Sequence, residues 1–233
     1  MLTTKSESFI SEKGKREVNE DSLYFQSGKW YIVCDGLGGN GNGQIASKLV
    51  AETVKDSLLN SKSISQAVQE AEKKLSAHKK KYPTTAYMAT TMALAQILDN
   101  KILVSWAGDS RVYQFRNGKI LFKTIDHTWV ADAIKEGTLS AVEALFHPRA
   151  NELTKSIKGS EQLVKFEQAL IEDIKPNDYF LICTDGILET WIDSDLEKLF
   201  ESFTSQKNIT QELNKNCKIF SEDNYTSIVF QIN

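Results

Sequence analysis

Five consecutive apolar residues, Trp30-Tyr31-Ile32-Val33-Cys34, break off at Asp35 and a run of glycines, and the pattern returns at Tyr179-Phe180-Leu181-Ile182-Cys183 ahead of Thr184-Asp185-Gly186. An aromatic and β-branched run that stops abruptly at turn residues predicts a buried strand ending in a tight loop. Two such strands that both end in an aspartate suggest carboxylates converging on one place. Apolar residues at 46, 49, 50, 54 and 58 and then at 64, 67, 68, 71 and 75 follow the helical period, predicting helices over 44–59 and 64–81, the second closed by Pro83. The period then changes to that of strands over 90–98, 101–107, 111–116 and 119–124. With turns at Asp99-Asn100 and Asn117-Gly118, this block predicts an antiparallel meander.

Thr128 is a natural N-cap for a helix over 129–136. The stretch 138–159 has no clear period, and 163–171 predicts a strand. Apolar positions 196, 199, 200 and 203, then 209, 213 and 220, predict two helices before a last strand over 226–232, while 23–25 and an edge strand around Phe9 and Ile10 complete the set.

A chain of 233 residues with 41% hydrophobic and 25% charged positions is long enough to bury one core, so one domain over 1–233 is expected. The formal net charge of −3 gives no support to a nucleic-acid partner, and the dense basic run Lys79-Lys80-Lys81 reads as a solvated helix end. Neither a secretory leader nor a span of membrane length is legible, so a cytoplasmic protein with no membrane association is expected. Cys34, Cys183 and Cys217, widely spaced and odd in number, predict buried thiols rather than a disulfide framework or a zinc site.

The loop after the first strand admits two chemistries. Gly36-Leu37-Gly38-Gly39-Asn40-Gly41 fits the dinucleotide pattern G-x-G-x-x-G. Asp56, however, falls inside a helix where that fold requires the end of a second parallel strand, and Asp35 would face the pyrophosphate with like charge. The second chemistry is a metal site of carboxylate oxygens. Asp35, Asp185 and Asp223 brought together would repel one another without a cation, and Mg²⁺ and Mn²⁺ prefer oxygen donors. Two such ions can activate a water for attack on phosphorus and stabilise the leaving oxygen. That is phosphoester hydrolysis.

Seven motifs in order carry a resemblance: Arg16-x-x-Asn19-Glu20-Asp21, Asp35-Gly36-Leu37-Gly38-Gly39, Thr90-Thr91, Gly108-Asp109-Ser110-Arg111, Asp126-His127-Thr128, Thr184-Asp185-Gly186 and Asp223-Asn224. Together they resemble the metal-dependent type 2C protein serine/threonine phosphatases, and the short chain is similar to small bacterial members. The resemblance implies an α+β, four-layer αββα sandwich, two antiparallel sheets flanked by helices, with a binuclear Mn²⁺ or Mg²⁺ centre at one end. It implies that Asp35 bridges both ions, Asp185 and Asp223 hold the first, and the Gly36 carbonyl holds the second, with Glu20 and Asp21 nearby. It further implies a third, more weakly held ion at Asp109 and Asp185, and a phosphate clamp at Arg16.

The implied reaction is hydrolysis of phosphoserine and phosphothreonine by direct attack of a metal-bridging hydroxide, without a phosphoenzyme. Phosphorylated proteins and an opposing Ser/Thr kinase are then the expected partners of a monomer. Leu37 departs from the pattern, because many eukaryotic members carry there a histidine assigned as general acid. His127 and His147 are read as structural. The segment 138–159 lies where the family carries a flap beside the site. A different class of answer, a catalytically silent sensor or binding module of the same fold, is disfavoured by the intact acids and Arg16.

Overall fold

The computed structural model describes residues 2–39, 41–144, 146–160 and 166–233. Its strands are β1 (Ser8–Glu12), β2 (Ser22–Gln26), β3 (Trp30–Cys34), β4 (Gly36–Leu37), β5 (Ala89–Thr90), β6 (Met92–Leu98), β7 (Lys101–Ala107), β8 (Arg111–Arg116), β9 (Lys119–Lys123), β10 (Glu167–Ile171), β11 (Tyr179–Cys183) and β12 (Tyr225–Gln231). Its α-helices are α1 (Asn42–Leu59), α2 (Ile64–Lys81), α3 (Trp129–Lys135), α4 (Ala141–Ala144), α5 (Asp185–Leu188), α6 (Asp193–Ser202) and α7 (Gln206–Phe220).

Two five-stranded antiparallel sheets, ordered β1-β12-β11-β8-β9 and β10-β7-β6-β3-β2, form the middle of the molecule. The unbroken apolar runs are explained by burial on both faces. Trp30, Ile32 and Cys34 pack under α1 and α2, while Tyr31 and Val33 point between the sheets. In β11, Tyr179, Leu181 and Cys183 face the α6 and α7 side, and Phe180 and Ile182 meet the opposite sheet. Tyr31 stacks on Phe230 with centroids 4.1 Å apart, joining the sheets through aromatic contact. The result is the expected four-layer αββα sandwich. All three cysteines are buried and free.

The expected meander is corrected. Its two halves lie in different sheets: β6 and β7 form a hairpin in one, β8 and β9 a hairpin in the other. The two turn signals were local and right; Asn117 and Gly118 both adopt positive φ, at 50° and 76°. The crossover at residues 108–110 is set instead by partners far away in sequence, β10 for β7 and β11 for β8. The strand expected over 163–171 appears as Glu167–Ile171, and positions 163–165 lie outside the described residues. Thr128 caps α3, its hydroxyl accepting from the Ala131 N–H.

Candidate active site

Strand register gathers the acids at one end of the sandwich. Ser22 pairs with Cys34, so Asp21 and Asp35 leave adjacent strands side by side. Cys183 pairs with both Arg111 and Ser227, which brings Asp109, Asp185 and Asp223 to the corresponding end of the other sheet. Arg16, Glu20, Asp35, Asp109, Asp185 and Asp223 line one cleft of about 760 Å³, and Asp21 is buried beneath it.

Asp35 and Asp21 are held by neighbouring backbone or hydroxyl groups. The Asp35 N–H donates to Thr91 Oγ1, and the Asp35 carbonyl accepts from the Thr91 N–H and from Thr90 Oγ1. Thr184 Oγ1 donates to Asp21 at 2.8 Å. Both Asp-Gly pairs need their glycine for close backbone approach. A Cβ on Gly36 would lie 2.1 Å from the Gly43 carbonyl oxygen, and one on Gly186 would lie 2.0 Å from that of Asn224.

Burial raises the Asp35 carboxyl well above the usual carboxylate range, with repulsion from Asp21 and Asp185 adding to it. Asp21 is pushed up to about 7, chiefly by burial and then by Asp185 and Asp223 against the bonds it accepts. Asp109 rises to about 7 and Asp185 to about 6, again through burial first and neighbouring carboxylates second. Asp21 Oδ1 and Asp109 Oδ1 are buried without a hydrogen-bond partner. Among the described residues no three acidic, histidine or cysteine side chains form a closed ligand cluster by themselves. Converging carboxylates with uncompensated charge and orphaned oxygens nevertheless fit hard divalent cations whose remaining ligands are water and backbone carbonyl.

Arg16, expected on the substrate phosphate, stands at the rim with its Nη2 2.8 Å from Asp223 Oδ2. Leu37 lines the cleft, and among the described residues no histidine does. His127 is instead buried against Trp106, accepting the Gly108 N–H at Nδ1 and lying 3.1 Å from Glu167. His147 stacks on Trp129, with Arg149 over the same ring. The 138–159 segment returns to the cleft through Asn151 and Leu153 and is tied down by bridges from Leu153 to Thr128 and from Ile157 to Thr90.

Two residues that position the site have no role assigned by the sequence alone. Asn224 accepts the Glu20 N–H and donates to the carbonyls of Lys13 and Val18, fastening the loop that carries Arg16. Glu189 accepts from Ser221 Oγ and from the N–H groups of Glu222 and Asp223, fixing the turn before β12. Asn224 stood inside a recognised motif without a role; Glu189 carried no signal.

A family model described as protein phosphatase 2C matches residues 11–224. A Listeria innocua protein named serine/threonine phosphatase stp is 26% identical over 97% of this chain and 95% of its own length. The crystal structure of the Mycobacterium tuberculosis serine/threonine phosphatase PstP/Ppp is similar with a TM-score of 0.85 and 25% identity, covering 97% of each chain. The catalytic domain of PstP in complex with two manganese ions shares the fold, with a TM-score of 0.83 at 23% identity over 100% of this chain and 99% of that one.

Proposed function

Because the chain belongs to the protein phosphatase 2C family, we propose that its acidic cleft hydrolyses phosphoserine and phosphothreonine monoesters of proteins with a pair of divalent cations, as one catalytic domain over 1–233. The observation that carries this reading is the meeting of Asp21, Asp35, Asp109, Asp185 and Asp223, from separate elements, in and beneath one cleft with a guanidinium at its rim.

In this reading Asp35 would hold both ions, Asp185 and Asp223 the first, and the Gly36 carbonyl the second, with Glu20 and Asp21 behind it. Asp109 and Asp185 would take a third, weaker ion. All are oxygen donors, which suits Mn²⁺ or Mg²⁺. Bound there, such a pair supplies an activated water and Lewis acidity toward the phosphoryl group. Support for two ions comes from the manganese-bound relative of the same fold.

The protein's own groups do the rest. Arg16, whose five N–H donors exceed what Asp223 uses, can offer the others to phosphoryl oxygens and orient the ester. Asn224 holds the Arg16 loop in register with Asp223. With Leu37 in the cleft and His127 buried elsewhere, no imidazole among the described residues faces the leaving alcohol, whose proton would come from water or from the substrate's own surroundings.

Phosphorylated proteins are the substrates, and a Ser/Thr kinase must supply them. We place the protein in the cytoplasm as a monomer; among the described residues no helix is long and apolar enough to cross a membrane. The test is Mn²⁺- or Mg²⁺-dependent hydrolysis of p-nitrophenyl phosphate and of a phosphothreonine peptide by the wild type and Asp35→Asn. Wild-type turnover that Asp35→Asn nearly abolishes is expected. A wild type inert with both substrates across metal concentrations would overturn the reading.

A further inference from the structure

Thr91, between β5 and β6, meets Ser110 in the turn where the chain crosses from β7 of one sheet to β8 of the other. Their hydroxyl oxygens are 2.7 Å apart, and both residues are buried. The same Thr91 Oγ1 accepts the Asp35 N–H at 2.9 Å. A hydroxyl has one hydrogen to give and two lone pairs, so Thr91 can take the Asp35 amide and still share a hydrogen with Ser110. A continuous path of hydrogen bonds therefore runs from Asp35, at the end of β3, through Thr91 to the residue next to Asp109.

The turn around Asp109 has other ties, and they lead away from Asp35. Gly108 exchanges two bonds with His127, its N–H donating to Nδ1 and its carbonyl accepting from the His127 N–H. Arg111 makes a bidentate pair with Asp126, at 2.7 and 2.6 Å. Both of these run to the stretch after β9; of the three ties, the hydroxyl pair is the one that reaches Asp35. The turn also rests on the methyl group of Thr91, since a Cβ on Gly108 would lie 2.6 Å from Thr91 Cγ2. Asp109 is among the carboxylates that repel Asp35. Two acids that push apart are thus carried by backbones joined through two buried hydroxyls.

We propose that Thr91 and Ser110 are positioning residues, a hydroxyl bridge that fixes the Asp109 turn against Asp35 and so sets the spacing of the carboxylates before a divalent cation arrives. The bridge rests on the phosphatase reading and adds to it two residues that act through the backbone of the acids. Groups that orient metal ligands from behind contribute about 10–100-fold in metal affinity or activity. The two halves of Thr91 can be told apart by substitution. Thr91→Val keeps the branched shape under Gly108 and removes the hydroxyl, whereas Thr91→Ser keeps the hydroxyl and removes the methyl group.

The test is calorimetric titration of Mn²⁺ into metal-free wild type, Thr91→Val, Thr91→Ser, Ser110→Ala and the Thr91→Val/Ser110→Ala double variant, each first shown to be folded by a thermal scan. Thr91→Val and Ser110→Ala are each expected to weaken Mn²⁺ binding by about tenfold or more, and Thr91→Ser to stay close to the wild type. The double variant should bind no more weakly than Thr91→Val, because both changes remove the same bond. Wild-type affinity in folded Thr91→Val, or losses that add in the double variant, would overturn the bridge. Weak binding by Thr91→Ser beside normal binding by Thr91→Val would overturn it too, by assigning Thr91 to packing under Gly108. Should Thr91→Val not fold, Ser110→Ala decides, since it leaves the Asp35 N–H its acceptor; wild-type affinity there overturns the bridge. A wild type that binds no Mn²⁺ overturns the phosphatase reading and the bridge together, whereas a wild type that binds Mn²⁺ and hydrolyses p-nitrophenyl phosphate beside unaffected variants overturns the bridge alone.

Discussion

The Arg16 guanidinium sits 2.8 Å from the Asp223 carboxylate although 207 positions separate them in the chain. Both side chains are partly exposed, so the pair adds little to stability, on the order of 0.5 kcal/mol after solvent screening. In the proposed function its worth lies in orienting the phosphate. Arg16→Ala is expected to lower kcat/KM for p-nitrophenyl phosphate by about 100-fold, the cost of removing one donor to a developing oxyanion. Its melting temperature should shift by less than about 2 °C. A scan and a steady-state assay on the same preparation check both halves.

The clustered carboxyls make the metal-free protein less stable as pH rises from acid to neutral. An unfolded aspartate titrates near about 3.9, whereas Asp185 reaches about 6 and Asp21 and Asp109 about 7 in the native state. Between about pH 4 and 7 the native state therefore binds more protons than the unfolded one, and stability falls as pH rises through that window. Asp35→Asn, which removes one of the repelling charges, is expected to flatten the dependence. Urea midpoints in a chelator at pH 5 and pH 7.5 measure it; a steeper fall in the variant than in the wild type would contradict the account.

Adding Mn²⁺ to the wild type at pH 7.5 should reverse that loss. At about 100 times its dissociation constant a ligand selective for the native state contributes about 2.7 kcal/mol, or roughly 5–10 °C in a chain of this length. Asp35→Asn should gain much less. Thermal scans with and without Mn²⁺ give the comparison.

Gly186→Ala would drive a methyl group to 2.0 Å from the Asn224 carbonyl oxygen, and that backbone cannot swing away as a flexible side chain could. The expected loss is on the order of 1–3 kcal/mol, with catalysis impaired because Asp185 and Asp223 flank the contact. Denaturant unfolding and the p-nitrophenyl phosphate assay should move together.

Asn224→Ala leaves the carbonyls of Lys13 and Val18 and the Glu20 N–H without their partner. About 1 kcal/mol for each lost bond gives a loss of about 3 kcal/mol. Amide exchange at Glu20 should accelerate more than exchange in β11. Uniform acceleration through both would mean that Asn224 supports the whole fold rather than this loop.

Much of the molecule was legible in the chain because its signals are local. The runs 30–34 and 179–183 are apolar at every position since each strand is covered on both faces. The helices over 42–59 and 64–81 follow from a repeat of apolar positions, and the Asn117-Gly118 turn from two residues that tolerate positive φ. The spacing of seven short motifs was enough to name the family. Which sheet each hairpin joins was decided only by tertiary structure, because β7 and β8 are separated by three residues yet choose partners some 60 to 70 positions away. The same holds for the contacts that aim the site. Arg16 on Asp223, Asn224 on the 13–20 loop and Glu189 on the Asp223 turn are single side chains whose partners come from other elements. No periodicity records such pairs, and the physical requirement they meet, satisfying polar groups at the mouth of a repulsive acidic cleft, exists only once the strands have brought those acids together.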